Sequence, residues 1–358
     1  MFSNNTQGFI ILNIYVALIV DIIILINIYY QIIKTKIIQR RYMKTMNKLE
    51  PLICNNLKQH VKLRELKDRT NKDYKKMIAI DIINNYSENS DKENGIIIQT
   101  LELDTFLINK IKRKPSIKYF KRLAFMKVPS AYEVLLKYLN SEDIDIKYTC
   151  YFGLLMLDID TEKKDYVIHE LVNSGILSDR IIEILDKVEL KFDEWMRLLE
   201  TEKSETGKII FLNILTGKEE LKNDKNSDKL LKFLGDSKEV KIAAIRAICS
   251  SKNEKYVDAF YTMFRFEKQW EIRVAIAEGM TNFAPELTKY KLLYMVKDEQ
   301  WWVRFSATKA ISLMGKEGVY TLVELSMDKS DEEISALANY FRNSNKKIYG
   351  SVENIEGV

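Results

Sequence analysis

The sequence predicts an all-α protein: one N-terminal transmembrane helix followed by an α-solenoid. Three observations carry that reading. The chain has 358 residues, 46% of them hydrophobic, but only 12 Gly and 4 Pro. So few turn residues leave little for a β-rich fold, and dense Leu, Ile, Lys and Glu favour helices. Phe9–Ile33 is a 25-residue span whose sole side chain charged at neutral pH is Asp21. Finally, an apolar and small-residue pattern recurs about every 31 residues through most of the remainder.

The elements follow in order. Residues 1–8 are polar, uncharged and read as an extracytoplasmic tail. Residues 9–33 are long enough to cross the hydrocarbon, which takes about 20 apolar residues. A cleavable signal peptide would need a basic start, a shorter core and a small-residue cleavage site. Residues 34–96 form a basic juxtamembrane stalk and linker. Within it, residues 34–76 hold fourteen Lys and Arg against four acids, a net of +10. The whole chain is +5 and Asp21 is −1, so residues 77–358 sum to −4. Basic flanks stay cytoplasmic, so the expected topology is a single-pass cell-membrane protein with its N-terminus outside. Pro51 is expected to interrupt the stalk, and the polar run Asn84–Gly95 to be its linker. Residues 97–342 are the repeat array, and the polar tail 343–358 reads as disordered.

The repeat register is anchored on Val303, in the stretch Asp-Glu-Gln-Trp-Trp-Val-Arg-Phe-Ser-Ala. Equivalent positions are Ile117, Ile146, Leu177, Ile209, Val240, Ile272, Val303 and Ile334, spaced by 29 to 32 residues. Such a period belongs to helix-hairpin solenoids. Four and seven residues later come Cys150 and Gly153, Asn213 and Thr216, Ala244 and Ala247, Ile276 and Gly279, and Ala307 and Ala310. These offsets share one helix face, and small residues there admit a neighbouring helix. First helices fit Thr105–Lys112, Ala131–Leu139, Asp165–Val172, Asp193–Leu199, Asp228–Leu234, Tyr256–Phe264, Pro285–Met295 and Gly318–Met327. A base follows the anchor in Lys118, Lys147, Lys241, Arg273 and Arg304, and acids such as Asp236, Asp298 and Asp331 precede it. This pattern resembles HEAT repeats over roughly residues 100–345, weakly at Leu177 and Ile209. The resemblance implies an Asp–Arg ladder between adjacent repeats.

No catalytic constellation is legible, and no metal or cofactor is expected. The two histidines, His60 and His169, lie in different regions, and no Cys or His pair has metal-ligand spacing. No phosphate loop, nucleophile elbow or zincin helix occurs. Three cysteines are too few for a disulfide frame and suit a reducing compartment. HEAT-like enzymes exist among phycobilin lyases and a DNA-alkylation glycosylase, but no active residue of either class maps here.

The expected function is therefore a membrane-anchored cytoplasmic scaffold or adaptor that docks protein partners, since solenoids offer long binding surfaces. Similar bacterial proteins suggest an accessory subunit of a membrane enzyme, such as an envelope-polysaccharide glycosyltransferase. Candidate partner-binding residues on the span are Asn13, Asp21 and Asn27, which share a stripe with Ala17. An intramembrane acid is costly and reads as functional, and polar stripes favour helix association in lipid. Trp270, Trp301 and Trp302 form a second candidate, at one edge of neighbouring repeats, with Arg265 at its rim. Lys34, Lys36, Arg40, Arg41 and Lys44 are candidate contacts for anionic lipid headgroups, which makes a lipid-binding module the alternative. Nucleic acid is not expected: no recognition motif accompanies the basic segment.

Overall fold

Every regular element of the computed structural model is helical. The backbone is described for residues 3–59, 63–86, 91–328 and 330–349, and side chains for 19–54, 66–85, 95–328 and 330–344. Contacts divide the chain into two units, Met1–Asp160 and Thr161–Val358. The division falls inside the 97–342 array read from sequence.

The first unit holds α1 (Ser3–Gln59), α2 (Leu63–Arg69), α3 (Asp73–Tyr86), α4 (Asp91–Thr100), α5 (Leu103–Arg113), α6 (Ile117–Phe125), α7 (Tyr132–Lys137) and α8 (Ile144–Leu155). Pro51 does not interrupt α1, which runs through it. Leu49 and Ile53 are buried on either side, and α1 packs on α3 and α4 there, which offsets the lost backbone hydrogen bond. The expected linker is likewise largely helical, because Asp91 opens α4 and Ile97 and Ile98 bury its apolar side. Asp143 caps α8 by accepting from the amides of Asp145 and Ile146 at 2.9 and 3.1 Å. α8 lies close on α6 because Gly153 lacks a side chain: a Cβ there would sit 2.7 Å from that of Ala124.

The second unit contains α9 (Thr161–Val172), α10 (Ser178–Leu185), α11 (Phe192–Thr201), α12 (Glu205–Leu215), α13 (Asp224–Asp228), α14 (Lys238–Ser250), α15 (Tyr256–Phe266), α16 (Trp270–Gly279), α17 (Pro285–Met295), α18 (Trp301–Ser312), α19 (Gly315–Met327) and α20 (Glu332–Tyr349). Alternate helices pack in series: α10 on α12, α12 on α14, α14 on α16, α16 on α18 and α18 on α20. Their facing sides carry the small residues read from sequence. A Cβ on Gly279 would lie 2.5 Å from Cys249 Sγ, so α14 and α16 approach as closely as the pattern requires. Burial pushes the Cys150 thiol up to about 12 and raises that of Cys249 as well. Both behave as small apolar groups.

Ile146, Val240, Ile272, Val303 and Ile334 are buried as anchors. Two others are corrected. Leu177 is 74% exposed; it sits extended just before α10, and Ile176 turns inward instead. In α12 the buried face runs through Gly207, Phe211 and Ile214, while Asn213 and Thr216 are exposed. Gly207 therefore takes the anchor's place, pressed against the Glu202 side chain at a built-Cβ distance of 2.6 Å. The helix expected over Asp228–Leu234 is replaced by short α13 and a 3-10 turn at Leu231–Gly235. α20 continues into the expected tail as far as Tyr349, and residues 350–358 lie outside those described.

Candidate functional site

In four helices of the second unit a base reaches an acid just before or at the start of the next helix in the series, whereas Asp331, expected as a rung, accepts from the amides of Glu333 and Ile334. Lys208 on α12 meets Asp236 at 2.6 Å and Lys241 on α14 meets Glu267 at 2.6 Å. Arg273 on α16 grips Asp298 with two bonds of 2.9 Å, and Arg304 on α18 pairs with Glu333 of α20. Arg273 and Arg304 also donate to backbone carbonyls of the loops beneath them. These cations are occupied in packing, so the ladder is structural rather than a free binding surface.

The aromatic edge is different. Trp270 and Trp301 each open a helix, α16 and α18. They are 36% and 41% exposed, and Trp302 is 54% exposed. Trp301 stacks on Phe305 at 5.1 Å between centroids, and Trp302 meets Trp301 edge-on at 4.7 Å. Phe305 touches Phe341 of α20, which touches Tyr340. Trp301, Phe305, Leu337 and Tyr340 line a shallow hollow of about 420 Å³. Phe305 and Tyr340 escaped the sequence reading. The i,i+4 spacing of Trp301 and Phe305 is the signal that could have found the first. Arg265 lies over the exposed ring of Phe266 at 6.0 Å. It borders a separate hollow of about 550 Å³ beside the Arg273–Asp298 pair.

On α1, the side chain of Asn13 lies outside the described residues, as do those of 9–18. From Ile19 to Ile33, the Ile, Val and Leu side chains are each at least 40% exposed. Asp21 is exposed among them. Among the described residues no helix is long and apolar enough to cross a membrane. A groove along α1 is lined by Ile24, Asn27, Gln31 and Thr35. Gln31 and Thr35 fall on the stripe of Asn27, four and eight residues on, and extend it toward the stalk. Lys34, Lys36, Arg40, Arg41 and Lys44 are all exposed, with no ion-pair partner among the described residues.

A buried polar cluster was not anticipated. Glu202, just after α11, is 6% exposed. His169 Nδ1 of α9 lies 2.7 Å from its Oε2, and Oε1 accepts from the amides of Lys203 and Ser204 at 2.9 and 2.8 Å. Burial pushes the Glu202 carboxyl up, but the Ser204 amide and His169 outweigh it and hold it below the usual carboxylate range. A depressed carboxylate stabilises the fold above the unfolded value, about 4.3, and loses that contribution as pH falls through the lower folded value. Glu202→Gln is therefore expected to cost about 1–2 kcal/mol at pH 7. In urea melts the gap to the parent should close as pH drops below about 4. A gap that stays constant with pH would contradict this role.

Among the described residues no group of three His, Cys, Asp or Glu side chains is placed to hold a metal ion. The fold and these surfaces define an all-α protein of serially packed helices. No family model matches the chain, and no curated protein matches it.

Proposed function

We propose that the protein is a membrane-anchored scaffold whose HEAT-like helical array docks protein partners on the cytoplasmic side. The observation that carries this is the exposed aromatic edge of Trp301, Trp302, Phe305 and Tyr340. Large aromatic side chains left in water next to a packed array are the residues that dominate binding energies. The ion-paired ladder beside them supports the same reading, because it joins neighbouring helices without consuming this edge. The anchor rests on the apolar run of α1, whose described Ile, Val and Leu side chains from Ile19 to Ile33 are exposed, and on the +10 segment that follows it. A membrane enzyme of the envelope-polysaccharide glycosyltransferase class is the partner type the HEAT resemblance suggests.

The anchor is tested on the full chain. It should remain in the membrane pellet under alkaline carbonate, and a reporter fused after Val358 should work only as a cytoplasmic reporter. Release into the supernatant, or an exported-type signal, would overturn the placement. Asp21→Leu then asks whether α1 meets a partner helix. The expected result is loss of co-purifying membrane protein without loss of membrane retention. Unchanged co-purification would reduce α1 to a tether.

A further inference from the structure

Just beyond its apolar run, α1 borders a cavity that the stalk's charge alone does not explain. It has a volume of about 770 Å³ and opens between α1 and α3, with Arg122 of α6 at its floor. Ile38, Tyr74, Met77 and Ile78 supply apolar walls, and Arg41 and Lys72 supply cations. The lining includes one carboxylate, Asp81, and it is already satisfied. Arg122 holds it with bonds of 2.7 and 3.0 Å, and the Tyr42 hydroxyl donates to it at 3.1 Å. Arg41 and Lys72 have no carboxylate partner among the described residues. The site thus combines two unneutralised cations with an apolar wall, the complement of an anionic amphiphile.

Its position names the source. At 1.5 Å per residue, Ile38 lies about 8 Å and Arg41 about 12 Å beyond Ile33 along α1. The headgroup layer extends about 5–8 Å past the hydrocarbon. Helical side chains lean toward the N-terminus, so Arg41 reaches back into that layer and Ile38 lies within it, at the depth of a lipid's glycerol esters and the first carbons of its chains. We propose that this cavity binds one anionic phospholipid, its phosphate on Arg41 and Lys72 and its proximal chain against Ile38 and Met77. This rests on the reading of α1 as a membrane anchor, and it makes the lipid a fixed part of the junction between anchor and array rather than a diffuse counter-ion.

The test uses the full chain in non-ionic detergent, titrated with phosphatidylglycerol and followed by native mass spectrometry. One retained phosphatidylglycerol per chain is expected, with phosphatidylcholine retained at least about tenfold more weakly. The double variant Arg41→Gln/Lys72→Gln should lose phosphatidylglycerol by about tenfold or more. Arg40→Gln/Lys44→Gln removes the same charge outside the cavity and should retain it. Met77→Trp keeps both cations but fills the apolar wall, and should exclude the lipid. Equal loss in both double variants would mean diffuse basic attraction and overturn the site. Competition by inorganic phosphate alone would mean a free-anion site instead. Circular dichroism establishes that each variant is folded. A chain that carbonate releases but that still holds phosphatidylglycerol refutes the anchor alone; an embedded chain whose Arg41/Lys72 variant binds like the parent refutes the cavity alone.

Discussion

Arg273→Ala should destabilise the second unit by about 3–5 kcal/mol, the cost of leaving one member of a buried ion pair alone. Arg273 and Asp298 are 8% and 7% exposed at their side chains. The guanidinium closes two bonds on the carboxylate and two more on the carbonyls of Glu267 and Lys268. Truncation leaves the buried Asp298 carboxylate without its partner cation. For a unit of this size, each kcal/mol shifts the melting temperature by about 2–4 °C, so a fall of roughly 6–20 °C is expected. Arg246→Ala is the control. Its pair with Glu278 joins the neighbouring helices α14 and α16, but the side chains are 53% and 43% exposed, and less than about 1 kcal/mol should be lost. Arg273→Met/Asp298→Asn should recover much of the deficit, because it removes both charges and keeps an acceptor for the Gln300 amide. If Arg273→Ala melts with the parent, the pair does not hold α16 to α18.

Trp302→Ala should separate folding from docking. Its side chain is more exposed than those of Trp270 and Trp301, so its truncation should cost far less than the roughly 3–5 kcal/mol of a core aromatic. Trp301→Ala also removes the stack on Phe305, and about 0.5–1.5 kcal/mol is expected from that contact. Hot-spot residues contribute about 2 kcal/mol or more to binding, a loss of roughly thirtyfold. Crosslinking of full-length chains in native membranes should accordingly yield partner with the parent and little with either variant, while both keep near-parental melting temperatures. If both variants unfold, the rings belong to the core and the edge is not a docking surface. If both fold and capture is unchanged, docking occurs elsewhere on the array.

The period of about 31 residues returns as the separation of polar contacts in the second unit. Asp165 with Arg197, Glu200 with Lys232, Glu205 with Ser237 and Arg246 with Glu278 are each 32 residues apart, and His169 with Glu202 is 33. The anchors and bases from Val240 onward were legible because each helix repeats the same buried face. Gly207 was not, since a glycine has no side chain to register in an apolar pattern, and its burial comes from Glu202 pressing on it. Leu177 departs from the pattern for the opposite reason: an apolar residue stands at the right interval, but α10 begins only at Ser178 and leaves it outside the helix.

By itself the sequence determined that the chain is helical, where most helices lie, that Arg273 and Asp298 belong to one ladder, and where charge changes abruptly after the apolar run; Lys208, Glu267 and Glu333 emerged as rungs only in the structure. All of these follow from local periodicity and composition, which are properties of neighbouring residues. Only the tertiary structure decided which cations are free. Arg273 and Arg304 look like Arg41 on the page of letters, but the first two are consumed by Asp298 and Glu333 and the last is not. It also decided that Asp81 is neutralised by Arg122, 41 residues away, and that Lys72 and Ile38 share one cavity wall. Such pairings depend on distances between helices. Residue spacing constrains those distances only within one repeat, and α1 with its neighbours obeys no repeat.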